Sequence, residues 1–223
     1  MKRHDFLFVI LVLVLFVPFM VSTPLYEFYC RFNLEHGLAM SFLKFAILAT
    51  LGESLGLRIR KGVYDYKGFG LLPRAIVWGF LGIAIKISFL IFQTGAVNFL
   101  GYIEITLGDS FGYKLLQAFA ASAFMNLIFA PVMMTLHKIT DTHIVATGGT
   151  LKGFFSRIDV AVILQKVDWH TMWGFVLKKT IPFFWIPAHT ITFLLPASLQ
   201  VLFAAILGVV LGVILAFAAN KSK

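Results

Sequence analysis

Four residues with small or polar side chains lie on one face of an apolar segment in the middle of the chain. Gly79, Gly82, Lys86 and Gln93 are spaced at i, i+3, i+7 and i+14, which places them on one side of an α-helix. A lysine at the centre of a bilayer costs about 2.5 to 3.5 kcal/mol on insertion scales. If this segment crosses a membrane, Lys86 must face water or a polar partner, and Gln93 extends the same polar face.

Two more charged residues lie in the preceding apolar segment. Lys44 and Glu53 are nine residues apart, so at about 100° per residue they lie on opposite sides of a helix and cannot neutralise each other. Glu53 can pair with Lys86 as a structural ion pair, or these residues can line a wetted cavity. Lys44 can also snorkel to the membrane interface. The sequence leaves these alternatives open.

Other polar residues in apolar segments give weaker signals. Gln93 and Asn126 can each extend a polar path or form an interhelical hydrogen bond. His189 lies among prolines, where packing or capping is favoured over a pore or proton role. The six histidines include no i, i+4 pair on a confident helix and have no neighbouring Cys or Glu set, so neither a metal site nor a cofactor is predicted.

No nucleophile and base lie close together in the sequence, so no catalytic residue is predicted. An intramembrane enzyme would require two of four residues to meet within hydrogen-bond reach, namely His137, His189, Glu53 and Lys86. Cys30 is the single cysteine and has no partner for an internal disulfide.

The composition requires a membrane as the setting for these residues. Of 223 residues, 60% are hydrophobic and 13% charged, and the mean hydropathy is +0.91. Soluble domains have roughly 45 to 50% apolar and about 25% charged residues. The net charge of +9 does not indicate a nucleic-acid partner, because the basic residues fall between apolar runs and act as topology signals. The chain is predicted to be an integral membrane protein with the lipid bilayer as its partner.

The apolar runs predict an all-α fold, a multi-pass transmembrane bundle that forms one domain over residues 1–223. About five spans are expected, at 6–22, 38–57, 75–100, 115–136 and 199–217. The first is interpreted as a signal anchor or extra span, with cleavage as the alternative. Residues 180–217 are too long for one crossing, so prolines 182, 187 and 196 predict a break in residues 181–196. Segment 180–196 is expected to re-enter or cross the membrane.

The loop charges predict the orientation. Basic clusters follow the second and fourth spans, whereas the other loops are poor in Lys and Arg, which places the N-terminus on the cytoplasmic side. No transit peptide rich in Ser and Arg is present, so a bacterial inner membrane is favoured over a mitochondrial inner or peroxisomal membrane. Small residues at helical spacing predict packing seams between the spans, among them Gly56, Gly79, Gly82, Gly208 and Gly212.

Three short motifs resemble those of a known family. The residues from Asn126 to Ala130-Pro131 resemble a signature ending in Ala-Pro, and Gly52-Glu53 resembles a Gly-Asp pair. Trp185-Ile186-Pro187, followed by Phe193 and Pro196, resembles a Trp-Pro and Phe-x-x-Val-Pro segment. The chain from about residue 37 to 217 is therefore similar to the Mpv-seventeen and peroxisomal membrane protein family. That resemblance implies a small multi-span protein proposed to form a channel or to support membrane homeostasis.

Taken together, the residues favour a channel or permease for small solutes, working alone or as a homo-oligomer. Lys86 and Gln93 on a glycine-lined face are the main support for this hypothesis. The alternative is a non-transporting scaffold or homeostasis factor, with internally paired polar groups and basic loops that bind a partner or anionic lipid. An intramembrane enzyme is the third hypothesis.

Overall fold

The computed structural model describes residues 3–106 and 108–221, and every regular element in those ranges is helical. The contacts divide the chain into two compact units, Met1–Met40 and Ser41–Lys223. The organisation as one domain stays a prediction. All of the predicted site residues lie in the second unit.

The first unit consists of two helices and the start of a third. Helix α1 is Arg3–Val21 and helix α2 is Thr23–Glu35. Ser22 between them is extended, and a proline occupies the first turn of α2, where a missing backbone N–H removes no helical hydrogen bond. The rings of Phe19 and Tyr29 meet edge to face at 5.5 Å.

The second unit is built from long helices and a few short connecting ones. The long elements are α3 (Gly37–Lys61, whose first turn belongs to the first unit), α4 (Leu71–Tyr102), α5 (Phe111–Phe124), the π-helix π1 (Met125–Phe129) and α6 (Ala130–Ala146). The short helices α7 (Leu151–Phe154), α8 (Val160–Lys166) and α9 (Trp169–Thr171) follow. The last elements are the π-helix π2 (Met172–Trp185), α10 (Ile186–Leu194) and α11 (Ala197–Lys221).

Five of the described helices are long and apolar enough to cross a bilayer. They are Arg3–Val21, Gly37–Lys61, Leu71–Tyr102, the continuous run Phe111–Ala146, and Ala197–Ile214. These agree with the five predicted spans and indicate an integral membrane protein. The all-α fold is confirmed for the described residues.

The proline-rich segment breaks within the predicted range of residues 181–196, but only at the end of that range. Helical structure runs without interruption from Trp169 to Leu194, through Pro182 and Pro187, and stops at Leu195, which is extended before Pro196. A proline removes one helical hydrogen bond and its ring collides with the carbonyl of the preceding turn. The wider turns of π2 accommodate this conflict, just as π1 does immediately before Pro131.

This helical run passes from one end of the second unit to the other. The preceding helix α8 packs on α6, whereas α10 packs on α5, so the run is antiparallel to Phe111–Ala146. Helix α11 then returns, with Gln200 near its start bonded to Gln93 and Val209 packed on Gly52. It therefore lies parallel to α3 and ends beside the basic residues at the end of α3. This end of the unit is called the basic end below.

Candidate functional site

A cavity of about 540 Å³ lies between the helices of the second unit. Exposed side chains of Arg60, Lys138 and Asp168 line it at the basic end, so it opens there. Its deep end is lined by Asn126 and His189. The walls between are mostly apolar and include four methionines, at positions 125, 133, 134 and 172. The volume is typical of sites that bind small molecules.

One acid at the cavity mouth is fixed in place by its own helix start. Asp168 caps α9, accepting a hydrogen bond from the Thr171 hydroxyl at 2.6 Å and another from the Thr171 backbone N–H at 3.0 Å. These hydrogen bonds stabilise the carboxylate and hold the pKa of Asp168 below its usual value. Asp168 is therefore a fixed negative charge at the rim.

A buried arginine ties three helices together beside the cavity. Arg74 on α4, 6% exposed, forms an ion pair with Glu53 on α3 at 2.5 Å and a second one with Asp141 on α6. Its Nε donates to the Phe69 carbonyl at 2.7 Å, and the guanidinium lies 4.2 Å from the Phe69 ring centre. Two carboxylates and a carbonyl thus compensate the loss of hydration of the guanidinium.

Glu53 has two further partners from the aromatic side of this cluster. Its Oε1 accepts a hydrogen bond from the Trp78 indole at 2.9 Å and lies 3.3 Å from His137 Nε2. The rings of Trp78 and His137 are 4.4 Å apart. The Glu53–His137 pair meets the proximity condition set for an intramembrane enzyme. Because Arg74 and Trp78 also hold this carboxylate, the geometry favours a structural role.

One of the open alternatives, an ion pair between Glu53 and Lys86, is wrong. Glu53 pairs with Arg74 instead, and Lys86 is half-buried and does not line the cavity. In the described part of the chain the Lys86 amine has no ion-pair partner. Lys44 does not snorkel, because protein covers it to 7% exposure. A helical wheel places residues on faces but cannot show which neighbouring helix covers each face.

The deep end of the cavity is a buried polar cluster inside an aromatic stack. Asn126, 1% exposed, donates to the Ser122 carbonyl at 2.9 Å and contacts His189 Nδ1 at 3.0 Å. The His189 ring stacks on Trp185 at 5.1 Å and is also close to Phe89 and Phe193. The fold therefore brings Asn126 on π1 and His189 on α10 together, and Asn126 forms the interhelical hydrogen bond that the sequence analysis gives as one alternative.

An amide pair joins α4 and α11 beyond this stack. Gln93 donates to the Gln200 side chain at 3.0 Å, and Gln200 donates back at 3.2 Å. The sequence analysis allows Gln93 either a polar path or an interhelical hydrogen bond, and the structure shows the hydrogen bond. Gln200 is 107 residues from Gln93, and no spacing in the sequence connects the two.

The amide pair makes a prediction about stability. Gln93→Leu leaves the Gln200 amide short of its partner, and we expect a loss of about 0.6 kcal/mol in the free energy of unfolding, typical of interhelical hydrogen bonds in membranes. The Gln93→Leu/Gln200→Leu variant should recover part of this loss, because it leaves neither amide unpaired. Unfolding in mixed detergent micelles, followed by tryptophan fluorescence, measures both. A double variant no more stable than Gln93→Leu would contradict this assignment.

The small residues on α4 pack tightly instead of lining a pore. A β-carbon at Gly79 would lie 2.4 Å from the Phe42 ring, and one at Gly82 would lie 2.5 Å from the Ser41 carbonyl oxygen. The proposed polar face of α4 is therefore in contact with α3, and the predicted packing role of both glycines agrees with the structure.

The small residues on α11 divide between packing and lining the cavity. Gly52 and Gly56 on α3 face Val209 and Gly212 at close range, as a packing seam requires. Gly208 was predicted to belong to this seam, but nothing lies within 4 Å of a β-carbon built there. It lines the cavity instead. Gly208 and Gly212, four residues apart on α11, thus lie at the edge of the cavity.

Glu53 and Arg74 form an ionic cluster with Asp141, His137 and Trp78. Three of its members, Arg74, Trp78 and Asp141, were missed as candidates for a site, and His137 was named only as a possible catalytic group. Helical spacing in the sequence could have pointed to them. Residues 74 and 78 are four apart, as are residues 137 and 141, so each pair shares a helix face. Arg74 and the basic residues near it were counted only as topology signals.

The motif residues divide between the cavity wall and the ends of helices. Gly52, Ala130 and Trp185 line it, Pro131 lies in the first turn of α6, and Pro187 lies in the first turn of α10. Phe193 closes the aromatic stack and Pro196 follows the end of α10. The fold and this cavity define a class of helical membrane protein with an internal small-molecule-sized site. No family model, curated protein or solved structure matches the chain.

Proposed function

We propose that the protein is a permease for small solutes and that the central cavity is its substrate site. The observation that carries this proposal is a cavity of about 540 Å³ that opens at the basic end and lies between five helical segments of the second unit. A helical bundle that needed only to pack would fill this space, because protein interiors leave few voids larger than a water molecule. The transport hypothesis is therefore supported by the cavity and no longer by Lys86, which does not line it.

The closed end of the cavity indicates which contacts must change during transport. The Gln93–Gln200 amide pair and the edge-to-face contact between Phe89 and Phe193 at 4.9 Å lie beyond the deep end. Opening a path there requires α11 and α10 to separate from α4, while Arg74 holds α3, α4 and α6 together at the basic end. The geometry therefore corresponds to a permease open toward its basic end.

Flux measurements test this proposal. We expect purified protein in liposomes to speed the entry of propionamide or acetamide, followed by stopped-flow light scattering. Gly208→Phe should abolish the increase, since a side chain there projects into the empty cavity. Gly95→Phe is the matched control, because Gly95 is exposed on α4 and is also free of neighbours within 4 Å. No flux in the parent, or equal flux in Gly208→Phe, would refute the proposal.

Lys86 provides a second control for the same assay. Because Lys86 does not line the cavity, we expect Lys86→Leu to leave the flux unchanged. A loss of flux in this variant would return the transport path to the face of α4 that the sequence analysis favoured.

A scaffold is the second candidate function, supported by the internal pairing of Arg74 with two carboxylates and of Gln93 with Gln200. It predicts a protein without flux whose basic loops bind a partner or anionic lipid. Three further expectations from the sequence are compatible with either function and stay proposals: membership of the Mpv-seventeen family, a bacterial inner membrane location and homo-oligomer formation. The permease has the stronger support, because a scaffold needs no cavity.

A further inference from the structure

The deep end of the cavity contains two hydrogen-bond donors on consecutive turns of one helical run. The Trp185 indole Nε1 is buried, with no hydrogen-bond acceptor among the described residues. His189, four residues later and 8% exposed, lines the cavity with Trp185. Its Nδ1 contacts Asn126, whereas its Nε2 has no hydrogen-bond partner in the described ranges. A fully buried donor without an acceptor, such as Trp185 Nε1, is rare in folded proteins.

The contact with Asn126 sets which histidine nitrogen carries the proton. The amide nitrogen of Asn126 is the closer atom to His189 Nδ1, at 3.0 Å against 3.3 Å for the amide oxygen. The same amide nitrogen donates to the Ser122 carbonyl at 2.9 Å, which fixes the orientation of the amide. Nδ1 therefore accepts a hydrogen bond, and the proton of the neutral ring is on Nε2, which becomes a donor.

The charges around the cavity do not reach this end. Five Asp, Glu, Lys and Arg side chains line the cavity. Glu53 and Asp141 are the carboxylates paired with Arg74, and Arg60, Lys138 and Asp168 lie at the mouth. The three carboxylates are balanced by three cations, because Arg74 pairs with two of them and Arg60 and Lys138 lie near the mouth. An ion held beside His189 would lose its hydration without a counter-charge nearby. An uncharged oxygen with two lone pairs meets the needs of both donors.

We propose that the cavity binds an uncharged, largely apolar molecule through a carbonyl-type oxygen that accepts hydrogen bonds from His189 Nε2 and Trp185 Nε1. This rests on the proposed function, since it names the substrate class of the same cavity. The methionines and aromatic residues of the wall contact the apolar body. The Trp185 and His189 rings stack at 5.1 Å, so the two donors lie on neighbouring rings. Because Trp185 Nε1 is fully buried, binding requires a rotation of the indole that brings its N–H to the same oxygen.

Binding of a matched pair of probes to the full-length protein in lipid nanodiscs tests this assignment. The probes are 2-acetylnaphthalene, labelled with ¹³C at its carbonyl, and 2-isopropenylnaphthalene, which replaces the oxygen by a methylene group. After subtraction of empty nanodiscs, we expect the ketone to bind about tenfold more tightly, as two net hydrogen bonds allow. The ¹³C carbonyl stretch of the bound ketone should move to lower frequency than that of the lipid-dissolved ketone.

Variants identify the donors. His189→Phe and Trp185→Phe keep the ring shape but remove the N–H, so each should reduce the ketone preference about threefold, and together they should abolish the frequency shift. His189→Gln should restore part of the preference, because its amide can donate from a similar position. His170→Phe and Trp173→Phe, both exposed, should behave as the parent does. Unchanged size-exclusion elution and circular dichroism confirm that the variants fold.

The outcomes separate this proposal from the permease itself. Equal affinity for both probes, or a frequency shift that persists in the double variant, would overturn the donor assignment even if acetamide flux is present. A ketone preference that depends on His189, found in a protein without flux, would support the site and overturn the permease.

Discussion

Arg74→Met is expected to lower the free energy of unfolding by about 3 to 5 kcal/mol, the range typical of breaking a buried ion pair by removing one partner. Arg74 is 6% exposed and is the cation paired with both Glu53 and Asp141. Methionine fills a similar volume but leaves two carboxylates close to each other without their shared counter-charge. The destabilisation comes from these carboxylates rather than from a cavity.

Removing the acids in the same variant tests this explanation. Arg74→Met/Glu53→Gln/Asp141→Asn should recover more than half of the lost stability, because neutral amides need no counter-charge. Unfolding in mixed micelles with increasing dodecyl sulfate, followed by far-ultraviolet circular dichroism, gives the comparison. Lys67→Met is the matched control, since Lys67 is exposed and surface changes of this kind are usually within about 0.5 kcal/mol. A loss in the triple variant equal to that of Arg74→Met would show that the carboxylates are not its cause.

The spans could be predicted because each depends on the composition of one continuous segment. Helices α3, α4 and α11 agree with the predicted spans to within a few residues at most ends, since about 20 apolar residues suffice to cross a bilayer. The course of residues 169–194 could not be predicted. Whether a proline ends a helix depends on whether the helix can widen locally, and the π-turns around Pro182 do this.

The site was less predictable because it depends on which helices are neighbours. Lys86 was singled out correctly as a charge in an apolar helix, but the spacing on α4 could not show that Phe42 and Phe45 cover the adjacent glycines. Arg74 lies at the end of its span, where arginine also acts as a topology signal, so its type and place suggested no buried partner. Asn126 and His189 are 63 residues apart, and only the fold brings them together.

Gly82→Ala is expected to destabilise the second unit by about 1 to 2 kcal/mol even though alanine favours helices. Alanine gains about 0.8 to 1 kcal/mol over glycine in a helix interior, whereas overpacking costs about 1 to 3 kcal/mol or occasionally more. The new β-carbon would lie 2.5 Å from the Ser41 carbonyl oxygen and 2.7 Å from Phe45 Cβ. Neither atom can swing aside as a flexible side-chain end could, so α3 and α4 must separate and lose contacts along their interface.

The sign of the effect distinguishes close packing from helix propensity. Gly95→Ala, on the same helix, adds a β-carbon with nothing within 4 Å, so it should stabilise the protein by up to about 1 kcal/mol. The same micelle unfolding measurement compares the two variants. If both stabilised the protein, α3 and α4 would not be in close contact at Gly82. Lys86 would then lie beside an open groove, and the alternative of a wetted face on α4 would regain its physical basis.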